Sequence, residues 1–145
     1  MNILVLLAGI IDPKWPLQFP VEDFRDGAAR NAVRPRILSP FDEASLEVAL
    51  KLRDDDPQTR ITAMVLEGRE NDQLLRSVAA FRLEDVTGVD AGSLESWDVR
   101  SLSSQLRSIV LQRGESVDLV LMGRELGDRD DGTLAACLAE QFAWR

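Results

Sequence analysis

LVLMGRELGDRDDGTLAACLAE, residues Leu119 to Glu140, reads as a buried strand, a polar glycine-containing loop and a helix. The strand is the short apolar run Val117 to Met122. The loop, Gly123 to Gly132, carries Arg124, Glu125, Asp128, Arg129, Asp130 and Asp131. The helix that follows sets Leu134, Cys137, Leu138, Gln141 and Phe142 at roughly three-to-four spacing, the period of one helix face. In open α/β sheets, ligands lie beyond the carboxyl ends of the strands, often against helix N-termini whose first N–H groups lack partners. This stretch therefore marks the first place to look for a site.

Working outward, strands and helices alternate. Ile3 to Leu7 is apolar without interruption, the pattern of a parallel, central strand buried on both faces. Residues 9–38 hold Pro13, Pro16, Pro20 and Pro35, which rule out a long helix there. Half-alternation over Trp15 to Val21 and Val33 to Leu38 predicts an irregular hairpin on the rim. Ser39-Pro40-Phe41-Asp42 opens the first helix: Ser39 is a good N-cap, Pro40 suits the first helical position, and Asp42 completes an S-x-x-D capping box. Phe41, Ala44, Val48 and Leu52, with Ala49 beside them, are the expected inward stripe, and Asp54 to Pro57 end the helix. Ile61 to Leu66 is a second strand, Asn71 to Phe81 a helix, Val86 to Val89 a weak third strand, and Trp97 to Gln112 a helix with Val99, Leu102, Leu106, Ile109 and Val110 inward. Strands alternating with helices predict a parallel sheet with right-handed crossovers and helices on both faces. The 145 residues suffice for one such domain, residues 1–145, with a real core.

Composition excludes several functions. There is no histidine, which removes Ser-His and Cys-His nucleophile pairs and the commonest metal ligand. Cys137 is the single cysteine, so neither an intrachain disulfide nor a cysteine-based zinc site forms, and no metal site is expected. It lies on an apolar helix stripe and reads as a small core residue. The net charge of −8 argues against nucleic acid as a partner. No apolar run reaches a membrane span, and the apolar start lacks a basic leader, so a cytoplasmic location is the default expectation. Trp15, Trp97 and Trp144 are scattered and read as packing residues.

Three blocks give the chain a resemblance to a family. One is the opening strand with Ile11-Asp12-Pro13. Another is Ser39-Pro40-Phe41-Asp42-Glu43-Ala44 with Leu46-Glu47 and Ala49-Leu50-Lys51-Leu52, which resembles N-P-F-D-E-x-A-L-E-E-A-L-R-L. The third is Asp118-Leu119-Val120-Leu121, Gly123-Arg124, Asp128, Asp130, Gly132 and Leu138-Ala139-Glu140, which resembles D-L-V-L-x-G-R-Q-x-x-D-G-D-T-G-Q-x-G-P-x-L-A-E without a gap. In this order they resemble the amino-terminal part of the electron transfer flavoprotein beta subunit.

The chain departs from the family pattern at several points. Ser39 stands for the family's Asn, and Arg124-Glu125 for its Arg-Gln. Asp128-Arg129-Asp130-Asp131-Gly132-Thr133 stands for D-G-D-T-G-Q, and Ala135 for a glycine. Ala79 to Glu84 falls where the family has A-M-G-A-D-R. The sequence ends at Trp144-Arg145, before the family's later signature and its subunit-wrapping arm, as expected of a fragment or a short, divergent relative.

The resemblance implies a doubly wound, Rossmann-like adenine-nucleotide-binding fold with the first and fourth strands side by side. It implies that AMP, or FAD in bifurcating relatives, lies in the crevice between them. By position the lining would be Leu6, Gly9, Ser39, Pro40, Phe41, Asp42, Leu66, Gly123, Arg124, Asp128, Asp130, Asp131, Gly132 and Thr133. Plainer roles stand beside these. Ser39 is a helix cap, Phe41 a core or staple residue, and Arg124 either a phosphate or subunit contact or an exposed partner of Asp128. The aspartates repel a phosphate unless they point outward or hold a cation, and Arg129 lacks the backbone freedom of the family's glycine. The function implied is an electron-transfer subunit, not itself an enzyme, that binds a nucleotide and docks an alpha subunit to carry electrons from a flavin dehydrogenase. The alternatives are a stand-alone, self-dimerising nucleotide-binding or signalling domain, and an interaction module without ligand.

Overall fold

A computed structural model describes residues 1–14, 35–67, 72–90, 98–114, 116–125 and 132–143. Strand β1 (Asn2–Leu7) is the centre of the fold. Its side chains alternate between two cores. Ile3, Val5 and Leu7 meet Ala49 of helix α1 (Pro40–Asp55) and Leu74 and Val78 of helix α2 (Asp72–Ala79). Leu4, Leu6 and Ala8 meet Leu102, Leu106 and Val110 of helix α3 (Val99–Gln112) and Leu134 and Leu138 of helix α4 (Leu134–Gln141). A strand apolar without interruption from Ile3 to Leu7 can only be satisfied this way, with helices on both faces. Each fully buried large aliphatic side chain stabilises the fold by about 1.5–3 kcal/mol.

β1 pairs in parallel with β4 (Arg60–Glu67) on one side and β6 (Leu119–Met122) on the other. β4 pairs in parallel with β5 (Asp85–Asp90), giving the order β5-β4-β1-β6. The chain therefore steps outward from β1 through β4 to β5, then returns across the sheet to place β6 on the far side of β1. The reversal makes a switch point between β1 and β6, the doubly wound arrangement expected from the alternation of elements. A small antiparallel pair, β2 (Ile10–Ile11) with β3 (Arg36–Ile37), follows β1.

Trp15 to Val21 of the expected rim hairpin lies outside the described residues; a short pairing of Ile10–Ile11 with Arg36–Ile37 is present beside β1. Three other expectations change. The inward face of α1 is Asp42, Ser45, Leu46 and Ala49, whereas Phe41 and Val48 are exposed. A polar residue, Asp42, turns the helix, because its carboxylate has backbone donors to meet beneath it. β6 is half-buried along its length rather than buried, because among the described residues it is the edge of the sheet. Cys137 is likewise only half-buried.

Candidate functional site

The carboxyl ends of β1 and β6 bring the two principal sequence blocks together. Leu6 lies beside Met122 in the sheet register, so Gly123 follows on one strand as Leu7 and Ala8 follow on the other. Phe41, in the first turn of α1, packs on Gly123: a methyl group there would come within 2.8 Å of Phe41 Cβ and 3.2 Å of its carbonyl carbon. Glycine at 123 is thus explained by the close approach of α1. The capping box expected of Ser39-Pro40-Phe41-Asp42 is present, with Ser39 Oγ accepting from the Asp42 N–H at 3.0 Å and Asp42 Oδ2 accepting from the Ser39 N–H at 3.0 Å.

Asp42 does more than cap. It is 1% exposed, and its carboxylate reaches the end of β1. Oδ1 accepts from the Ala8 N–H at 3.1 Å, and Oδ2 from the Gly9 N–H at 2.9 Å and the Ser39 hydroxyl at 2.7 Å. The main-chain carbonyl of Asp42 accepts from Ser45 Oγ at 2.8 Å. From the other side, Arg36 Nη2 donates to the carbonyls of Ala8 at 3.3 Å and Gly9 at 2.8 Å. Gly9 has φ +66°, in the region that favours glycine, and a methyl group there would lie 2.5 Å from Leu74 Cδ2 and 3.1 Å from the Ile37 carbonyl oxygen.

Leu6 and Leu66 are buried in the α3/α4 core, so their side chains face the packing rather than the crevice. Pro40 and Phe41 are exposed. Arg124 is exposed, with Nη2 3.3 Å from Glu125 Oε1. Gly132 has φ +55°, and Thr133 precedes α4 without a side-chain hydrogen bond to the helix. Asp128, Asp130 and Asp131 lie outside the described residues.

Among the described residues, the carboxyls held below the ordinary aspartate range are elsewhere. Asp85 is held down first by its hydrogen bond from Arg113, then by Thr87, with the guanidinium charge adding to both. Asp98 is held down by the hydroxyl and N–H of Ser101, as the N-cap of α3. A cavity of about 480 Å³ flanks α1 between Leu38, Leu50 and Phe81, and one of about 400 Å³ lies at the amino ends of the strands near Asn2 and Arg60. Among the described residues no group of acidic or sulfur side chains could hold a metal ion, and no helix is long and apolar enough to cross a membrane.

Sequence reading did not single out Arg36. It sits in a rim strand of two residues, and no spacing or motif tied it to β1. Asp42 was legible as a cap; its reach to Ala8 and Gly9 depends on how α1 is set over the sheet.

Strand order and switch point together define a doubly wound, Rossmann-like α/β protein. Residues 31–145 match the electron transfer flavoprotein domain, and the chain belongs to that family. It is 26% identical over 144 residues to the electron transfer flavoprotein beta subunit of Megasphaera elsdenii, covering 96% of this chain and 52% of the relative. With the beta subunit of Bacillus subtilis the figures are 27% over 141 residues, 97% and 52%. With the caffeyl-CoA reductase–Etf complex subunit CarD of Acetobacterium woodii they are 27% over 108 residues, 74% and 41%. The chain spans about half the length of the curated relatives it matches.

Proposed function

We propose that this chain is the nucleotide-binding, partner-docking part of an electron transfer flavoprotein of the beta type. The observation that carries the reading is the convergence of Ser39–Asp42 and Gly123 at the switch point between β1 and β6, where doubly wound sheets take ligands. The relatives' names supply the electron-transfer role: two are beta subunits and one belongs to a reductase–Etf complex. In this reading the chain performs no bond chemistry. A flavin shared with an alpha subunit carries the electrons, and this chain's groups bind and orient an adenine nucleotide.

The donor set fits an adenosine phosphate in part. The first-turn N–H groups of α4 receive no cap from Thr133, and these are donors suited to an anionic group. Gly123, Arg124, Gly132 and Thr133, with Asp128, Asp130 and Asp131, are the proposed binding residues; Ser39, 2% exposed and bonded to Asp42 through its N–H and hydroxyl, contributes as the helix cap. Leu6 and Leu66 contribute through their backbone, since their side chains are in the core. Arg129 and Asp131, which replace a glycine and a threonine of the family pattern, weaken the anion site by bulk and charge.

Titration calorimetry with AMP and co-expression with an alpha subunit test the reading. AMP binding weaker than micromolar and a co-eluting complex with alpha are the expected results; absence of both would overturn it. The chain alone should not retain FAD, because one small crevice buries too little of so large a ligand. A stoichiometric flavin absorption band after removal of excess FAD would point instead to a self-sufficient flavoprotein.

A further inference from the structure

We propose that Asp42 and Arg36 form a two-sided clamp that sets the shape of the Ala8–Gly9 turn, and that both are positioning residues for the crevice rather than ligand contacts. The proposal rests on the nucleotide-binding reading above and deepens it.

Both peptide groups of the turn are held through their polar atoms. The Ala8 and Gly9 N–H groups donate to the Asp42 carboxylate at 3.1 and 2.9 Å, while the two carbonyls accept from one nitrogen of Arg36 at 3.3 and 2.8 Å. The acid comes from the first turn of α1 and the base from the rim strand β3, so the turn is tied to two separate elements. Asp42 accepts four hydrogen bonds, one at Oδ1 from Ala8 and three at Oδ2 from Gly9, the Ser39 N–H and the Ser39 hydroxyl. At 1% exposure, Asp42 offers almost no surface to a ligand.

Three features show that the turn needs holding. Gly9 occupies a conformation at φ +66°. A side chain at this position would collide with Leu74 and the Ile37 carbonyl. Arg36 Nε lies 3.6 Å from the position a Gly9 Cβ would take and is buried without a hydrogen-bond partner, so the guanidinium sits close to the turn at the cost of one unmade bond. Asp42 also supplies, from inside the protein, the negative charge that the N–H groups at this strand end would otherwise offer to a ligand. An anionic ligand group therefore finds no donors at Ala8 and Gly9. The clamped turn instead presents a fixed, electrically satisfied wall against which the opposite wall can bind.

The test uses the full chain, AMP as probe, and the variants Asp42→Asn and Arg36→Met, with Ser45→Ala as a buried control. Amide hydrogen exchange at Ala8 and Gly9 is followed by NMR alongside calorimetric affinity. Asn retains the side-chain volume and one acceptor but turns an amide toward the backbone donors. Faster exchange at Ala8 and Gly9 in both variants is expected, with Val5 and Val65 still protected. AMP affinity should fall by roughly tenfold, the scale on which outer-shell supports of metal sites are felt. Ser45→Ala should change neither. Unchanged exchange at the turn overturns the clamp, and so does faster exchange with unchanged affinity. If the unaltered chain binds no AMP, the nucleotide reading fails by itself. The clamp is then judged by exchange alone: loss of protection at Ala8 and Gly9 in both variants upholds it, and its absence overturns it.

Discussion

On the β1 side of the crevice, backbone N–H groups and carbonyls of the turn are held by charged side chains, and the helix above it carries a complete capping box. On the β6 side, the strand is half-exposed, Arg124 is at the surface, and α4 begins at a threonine that makes no cap bond. One wall is finished by the protein itself. The other starts a helix without a side-chain cap. The contrast is between a turn held by charged side chains and a strand end left at the surface, and substitutions on the held side should disturb the fold most.

Asp42→Ala should be the most damaging change. It leaves the buried N–H groups of Ala8, Gly9 and Ser39 without an acceptor, at a cost of about 3–5 kcal/mol. Urea denaturation measures it; a loss below about 1 kcal/mol would mean that water replaces the carboxylate and the wall is not sealed. Gly9→Ala should cost about 2–4 kcal/mol, since a left-handed conformation and contact with Leu74 are penalised together. Gly114 shares the positive φ but has open space around it, so Gly114→Ala should cost only about 1 kcal/mol. Equal losses at the two glycines would show that the close packing at Gly9 is not felt.

Ser39→Ala removes the cap acceptor and the hydroxyl that donates to Asp42, with an expected loss of about 1–2 kcal/mol. An unchanged thermal melt would show that the box contributes nothing. Asp85→Asn, at the amino end of the sheet, is the remote control. Asp85 is half-exposed, so its pairing with Arg113 should contribute less than about 1 kcal/mol at neutral pH. Its folded-state pKa lies below the ordinary value, so the folded protein binds fewer protons there than the unfolded chain. The contribution is present above that ordinary value and fades as pH falls below about 4, through the folded-state pKa. Melting curves of both proteins should converge in acid; a gap that persists would assign the effect to something other than the charge.

Much of this was legible beforehand because local rules governed it. The run Ile3 to Leu7 is apolar throughout and could only be a central strand, and Ser39-Pro40-Phe41-Asp42 is a capping box wherever it sits. The stripe of α1 was misread because hydrophobicity was used to orient the helix, whereas a buried carboxylate with backbone donors below it decides the orientation. Arg36 was invisible for a related reason: its partners are main-chain carbonyls, which every residue possesses and which leave no mark in sequence. The burial of Leu6 and Leu66 followed from strand parity, which places Leu4, Leu6 and Ala8 on the α3/α4 side.

The pairing of β1 with β6 also sets the order in which the chain can become a protein. The Asn2 N–H donates to the carboxylate of Asp118, 116 residues away, and Ile3 faces Leu119. Contacts this distant in sequence are slow to form, because the loop must close before anything is gained. β1 can find β4 early, but its other edge stays open until the crossover through α3 is complete. Until then a five-residue apolar run is exposed along one side, a ready template for pairing with another unfinished chain. The strand at the switch point is thus also the one whose second edge is completed by residues more than a hundred positions away.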